Sequence, residues 1–458
     1  MVNRQATACA QRAAGQRSPR HATRVARRVL LVAFVVAAIW PDSIGAQDRR
    51  SPEDSARMAA PIHNLSDAYA LLATSPRVRA ARSAAEATTA MVAEAGTLED
   101  PQLQLGLMNR ELPSFSPMPL LGMTQLQVMQ MLPVTRSLRW ARSAATATAR
   151  AEHERADGVL WGERARVAAA YFEVVRIDRA VGIVSETKRV MERMLTVARA
   201  MYEVGDGRQA DVLRARVQVE QMAEELLRLD AERSASAARL NGLLNRPLGA
   251  PVAPAEPSDA DAPIPSVDSL AAVADARRPE LWAAASRVDA ATAALEVARR
   301  ELWPELQVGI AYGQRRDAGM TERMGSVMLG ASLPVFASRR QLAARREGEA
   351  MLAMAQADRQ AMRAETRAEL EEMLAELRKV QRLQLLYRES ILPQAAAAVE
   401  SSLSAYRAGD LPFMSLAESQ VALNGFRLEL ASLQSDEGRL WAALEALVAT
   451  ALDAPGAP

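Results

Sequence analysis

The chain has 458 residues with 56 basic and 55 acidic side chains, a net charge of +1, so no global field marks it as a binder of nucleic acid or another polyanion. Aromatic residues are only 4%, and Cys9 is the single cysteine, which excludes an internal disulfide and a zinc cluster built on thiolates. His21, His63 and His153 are scattered, and neither a glycine-rich phosphate loop, a nucleophile elbow nor a paired-histidine motif is present, so the sequence predicts no catalytic residue and no cofactor.

In chain order, Arg20, Arg24, Arg27 and Arg28 precede an apolar run of 12 residues, 29–40, followed by small residues up to Ala46. A bilayer anchor wants about 20 apolar residues. The pattern predicts a signal peptide over 1–46 and export of the remainder. Since no later stretch is long and apolar enough for a membrane helix, any membrane span of the exported chain is expected to be β.

The rest reads as a duplication. Ser75 and Pro76 open a segment answered by Arg278 and Pro279, 203 residues on. Pro101 is answered by Pro304 at the same offset, Leu132-Pro133-Val134 by Leu333-Pro334-Val335, and Tyr202, Gly205 and Asp206 by Tyr406, Gly409 and Asp410. Leu240 and Leu243 reappear as Leu444 and Leu447. The predicted domains are a first repeat at 65–245, a proline-rich linker at 246–266 and a second repeat at 267–452.

Each repeat begins with an alanine-rich helix, read in the first as running from 66 to about 98. A β-hairpin then follows, at 101–134 and 304–335. Leu103, Leu105 and Leu107 alternate with Gln102 and Gln104, and Leu126 and Val128 with Gln125 and Gln127. Leu306, Val308, Ile310 and Tyr312 alternate with polar or small residues, as do Val327, Leu329, Ala331 and Leu333. Period-two patterning with one apolar and one uncharged polar face, in strands of about eight to ten residues, suits a membrane barrel around a watery lumen. Four strands cannot close, and open edges are not tolerated in lipid, so closure is expected from three copies giving about twelve strands.

After each hairpin the chain runs as a helix, over 136–202 without proline and over 338–406 with only Pro393, long enough to span roughly 100 Å. Each ends at a Gly-Asp turn and returns, over 211–245 and 415–452. Gly205 and Gly409 are expected in the left-handed conformation after a helix end, and Asp206, Asp211 or Asp410 as caps of the following helix. A periplasmic coiled-coil scaffold without a pore is the alternative these residues leave open. Met108, Met118, Met123, Met320, Met324 and Met328 gather at the inferred outer ends of the strands, where thioether sulfur is a candidate soft-metal ligand and flexible packing the blander role.

Together these features resemble the TolC-like outer-membrane efflux channels. The resemblance rests on Tyr-Glu-Val-Gly-Asp-Gly-Arg-Gln-Ala-Asp-Val-Leu-Arg-Ala-Arg-Val at 202–217, Ala-Arg-Leu-Asn-Gly-Leu-Leu at 238–244, Pro-Glu-Leu-Gln-Val-Gly from Pro304, Leu-Pro-Val-Phe from Leu333, and the duplication itself. It implies a mainly α chain whose duplicated repeat builds, as a homotrimer, a twelve-stranded barrel in outer-membrane lipid above a helical periplasmic tunnel. It implies as partners a periplasmic adaptor and an inner-membrane pump, and makes Gly205, Asp206, Gly409 and Asp410 the adaptor-docking tips. Many relatives carry a lipidated cysteine at the mature start, which is missing here. Glu400 lies near the stretch where relatives hold acidic rings, without a motif match that transfers that role.

Overall fold

The structure is a computed structural model that describes residues 58–114, 116–118, 122–253, 263–317, 320–337 and 339–452; the predicted signal peptide and the middle of the linker lie outside them. The elements run α1 Leu65–Leu71, α2 Pro76–Ala95, β1 Gln102–Met108, β2 Met123–Leu132, α3 Ser137–Glu203 and α4 Gln209–Leu243. The second repeat follows with α5 Val267–Arg277, α6 Pro279–Arg300, β3 Glu305–Asp317, β4 Met320–Ser332, α7 Gln341–Leu386, α8 Leu392–Arg407 and α9 Phe413–Val448.

Helix α3 has 67 residues, about 100 Å at 1.5 Å per residue. Proline is absent from it, and alanine at Ala147, Ala149, Ala151, Ala156 and Ala168 lets neighbouring backbones come close while costing no side-chain entropy. Helices α2, α4, α6 and α9 all pack along α3. The core is therefore a series of clusters strung along the rod. One joins Ile62, Leu72, Val167, Tyr171, Val174, Leu240 and Val252. A second sets Leu270 against Leu370, Leu374, Leu377, Trp441 and Leu444.

Three sequence expectations need correction. The first helix of the repeat is broken: Leu72–Thr74 form a 3-10 turn, because Pro76 takes the first position of α2 and forces Ser75 into an extended ψ of 133°. The second rod is not one α-helix, since Tyr387–Ile391 form a π-turn in which the Leu392 N–H reaches back to the Tyr387 carbonyl. Pro393 supplies the reason: it has no N–H to continue the ladder, and the widened turn absorbs the defect. Strands β3 and β4 have 13 residues each, longer than the expected eight to ten.

The described part of the linker is fastened. Ile62 and Val252 form a parallel bridge, and the buried Arg246 donates from Nε to the Met58 carbonyl at 2.8 Å and from Nη2 to the Ala60 carbonyl.

Candidate functional site

The hairpins merge into one antiparallel sheet of order β1-β2-β3-β4, with β1 and β4 as open edges. Register makes the two faces explicit, because residues opposite each other point to the same side. Leu103 lies opposite Val128, Val128 opposite Ile310, and Ile310 opposite Val327. The next row runs Leu105, Leu126, Tyr312, Gly325. All the apolar alternations thus fall on one face. The other face reads Gln102, Met129, Gly309, Met328, then Gln104, Gln127, Ala311, Ser326, then Gly106, Gln125, Gly313, Met324, and last Met108, Met123, Arg315, Glu322. Arg315 and Glu322 pair across the strands at 2.6 Å.

The polar face is the more covered one along β3, as on the concave side of a curled sheet. Ala311 is only 2% exposed and its neighbour Ile310 is 65% exposed, an alternation that continues through buried Gly309 and Gly313 and exposed Tyr312. The convex side is apolar and bare: Leu103 and Leu105 are 67% exposed, Val327 74% and Leu329 81%. A contiguous bare apolar band of this kind marks an interaction surface rather than a wet face. Of the six methionines predicted as soft-metal candidates, Met108, Met123, Met324 and Met328 fall on the concave face, and Met320 joins them by its parity with Met324. Met118 lies outside the four strands. Met129 and Met131 share the concave face and were missed, because they stand at the helix end of β2 rather than its hairpin end.

At the far end of the rods the two Gly-Asp turns have matching geometry. Gly205 has φ of 88° and Gly409 of 81°. In the first, Gly205 N–H bonds the Tyr202 carbonyl and Asp206 N–H the Met201 carbonyl; in the second, Gly409 and Asp410 bond those of Tyr406 and Ala405 in the same way. The left-handed glycine allows these backward bonds, which satisfy the last carbonyls of each rod. Asp206 and Asp410 cap nothing: α4 and α9 start after Arg208 and Pro412, neither giving a side-chain cap. Both aspartates are exposed, as is Val204 at 72%. The two turns lie at one level, since a single cluster joins Met191, Met194, Ala198 and Ala215 of the first repeat to Tyr406, Phe413 and Leu416 of the second. Burial raises the Tyr406 phenol above its ordinary value, and Asp211 adds to it.

Among the described residues there is no group of three or more His, Cys, Asp or Glu side chains placed to hold a metal ion, and no helix is long and apolar enough to cross a membrane. Residues 68–246 and 270–450 match the model of a family described as outer membrane efflux protein. No curated protein sequence matches the chain. Among solved structures it is similar to the outer-membrane channel OprN, with 18% identity, a TM-score of 0.72 and coverage of 84% of this chain and 89% of that one. It is also similar to CusC, with 15% identity, a TM-score of 0.73 and coverage of 90% and 99%. VceC of Vibrio cholerae has 18% identity, a TM-score of 0.71 and coverage of 84% and 96%.

Proposed function

The chain belongs to the outer membrane efflux protein family, and from that premise we propose that it is the exit duct of a three-component export machine, working as a homotrimer. Three four-stranded sheets join edge to edge, β1 of one copy beside β4 of the next, so that the convex apolar faces meet lipid and the concave polar faces surround water. Residues 1–46 direct export and are removed, and the two repeats at 65–245 and 267–452 supply alternate staves of a tunnel. Gly205, Asp206, Gly409 and Asp410 form the tips that dock a periplasmic adaptor, which links the duct to an inner-membrane pump. Transport energy comes from that pump, and the duct gives passive passage.

The observation that carries this reading is the sheet itself: two unpaired edges beside a band of exposed Leu, Val and Ile. A soluble scaffold would leave that band in water, which disfavours the pore-free alternative. Trp303 and Phe336, 66% and 74% exposed at the helix end of the sheet, suit an aromatic girdle at the membrane interface. Purified protein in a planar bilayer tests it. Stepwise potassium conductance is expected; protein that inserts and conducts nothing would overturn the duct.

A further inference from the structure

We propose that the concave face of the sheet carries a ladder of weak thioether sites for a soft monovalent cation, Cu(I) or Ag(I), with Met129 and Met328 as its main rung toward the helix end. The four strands contain the methionines Met108, Met123, Met129, Met131, Met320, Met324 and Met328. Register puts every one of them on the concave face. The convex face is Leu, Val, Ile, Tyr and Ala with a few polar residues, and has no methionine. Methionine used only as flexible apolar filler would serve at least as well on the convex side. Its confinement to the polar side calls for a property that leucine lacks, and the sulfur is that property.

The strand between them makes room for the methionine side chains, and the Met129 Sδ accepts from the Gln127 amide, a contact a bound cation would displace. Met129, Gly309 and Met328 form one cross-strand row. A β-carbon on Gly309 would stand 3.3 Å from Met129 Cγ and 3.4 Å from Met328 Cε, so both side chains lean over the glycine from opposite sides. Toward the hairpin end, Met123 Sδ lies 3.0 Å from where a Gly313 β-carbon would be, and Met324 is the register partner of Gly313. Met108 then faces Met123 directly. From Met131 to Met123, and again from Met328 to Met320, the ladder extends about 26 Å at about 3.3 Å per residue.

Neutral thioethers bind Cu(I) and Ag(I) and ignore hard cations such as sodium or magnesium. Of the acidic residues on this face, Glu322 is paired with Arg315, while Asp317 is the register partner of Met320 at the outermost rung and Glu305 stands at the helix end. Met324 and Met328 remain 39% and 37% exposed, which favours brief occupancy, and conduction needs several sites weak enough to leave. The passage rests on the exit-duct reading; the binding does not.

The test is a titration of the purified exported protein with silver nitrate in chloride-free buffer, in a Cys9→Ser background so that no thiol takes part even where residues 1–46 are retained. Saturable silver binding is expected, with the half-saturating concentration raised at least about tenfold in Met129→Leu/Met328→Leu. Met118→Leu should match the parent, and Met129→Cys/Met328→Leu should recover binding because a soft donor is restored. Equal silver binding by the parent and the double leucine variant, with both correctly assembled, would overturn the proposal. Because the titration needs no pore, a parent that binds silver but does not conduct would remove the duct reading and leave the site standing.

Discussion

Tyr202 and Tyr406 occupy the same place in the two repeats, three residues before the turn glycine, yet Tyr202 is 48% exposed and Tyr406 only 4%. Tyr406 meets Phe413 edge-on at 5.7 Å inside the cluster that joins the two hairpins, and Tyr202 stands outside it. The tips therefore share a backbone and differ in load. Replacing Tyr406 with alanine should destabilise the tip by about 3 kcal/mol through the cavity left behind. Tyr202→Ala should stay within about 0.5 kcal/mol, as exposed sites usually do. Limited proteolysis at the tips reads the difference, and equal sensitivity in the two variants would contradict it.

The two turns also separate strain from recognition. Gly205→Val or Gly409→Val forces a β-branched residue to positive φ at a cost of about 1 kcal/mol or more, visible as faster tip proteolysis. Asp206→Arg and Asp410→Arg together disturb no cap, so trimer abundance should stay normal while adaptor cross-linking and export fall. Unchanged export with both aspartates reversed would remove these side chains from the docking surface.

Gly438 is a close-approach point midway along the rods. A β-carbon there would sit 2.4 Å from two ring carbons of Phe172, while Ser435 next to it donates to the Phe172 carbonyl at 2.7 Å. Gly438→Ala should therefore destabilise the α3–α9 contact by about 1–3 kcal/mol despite its better helix propensity. A raised melting temperature would show that the helices can part at no cost.

Acid dependence should appear at Glu445. Burial holds this carboxyl above the ordinary glutamate value, with the Leu452 N–H, which it accepts at 2.9 Å, and Arg164 pulling it back. On the same patch Tyr69 is pushed up to about 12, first by burial and then by Glu445, and Arg164 lies over its ring at 4.3 Å. Because the folded state holds the Glu445 proton more tightly than the unfolded state, this contribution is full below the ordinary glutamate value. It is lost as pH rises through the raised folded value. Glu445→Gln keeps an acceptor for Leu452 and removes the charge, so it should raise the melting temperature at about pH 8 and change it little at about pH 4. A loss of stability at the higher pH would mean that the charge with Arg164 outweighs its burial.

Much of this architecture was legible in the sequence because it rests on local periodicity. The alternation around Leu103, Leu126, Ile310 and Val327 fixes strand faces without knowledge of pairing, and the glycine of each Gly-Asp turn is demanded by positive φ. The residues that were not legible depend on neighbours from distant parts of the chain. Nothing near Met129 in sequence tells that Gly309 and Met328 share its row, since that register joins strands of different repeats. The break at Leu72–Thr74 and the π-turn before Pro393 follow from single prolines whose effect on an otherwise strong helical pattern is decided by packing. The capping role expected of Asp206 and Asp410 failed because the turns run past them before the next helix begins.

The central claim is that one chain supplies a third of a barrel, and the mass of the detergent-extracted protein tests it most directly. The open edges β1 and β4 predict that native mass spectrometry finds three copies, and that cysteines placed on β1 and β4 of the Cys9→Ser chain cross-link only between copies. A folded monomer in the membrane fraction, or cross-links confined within one copy, would contradict the account.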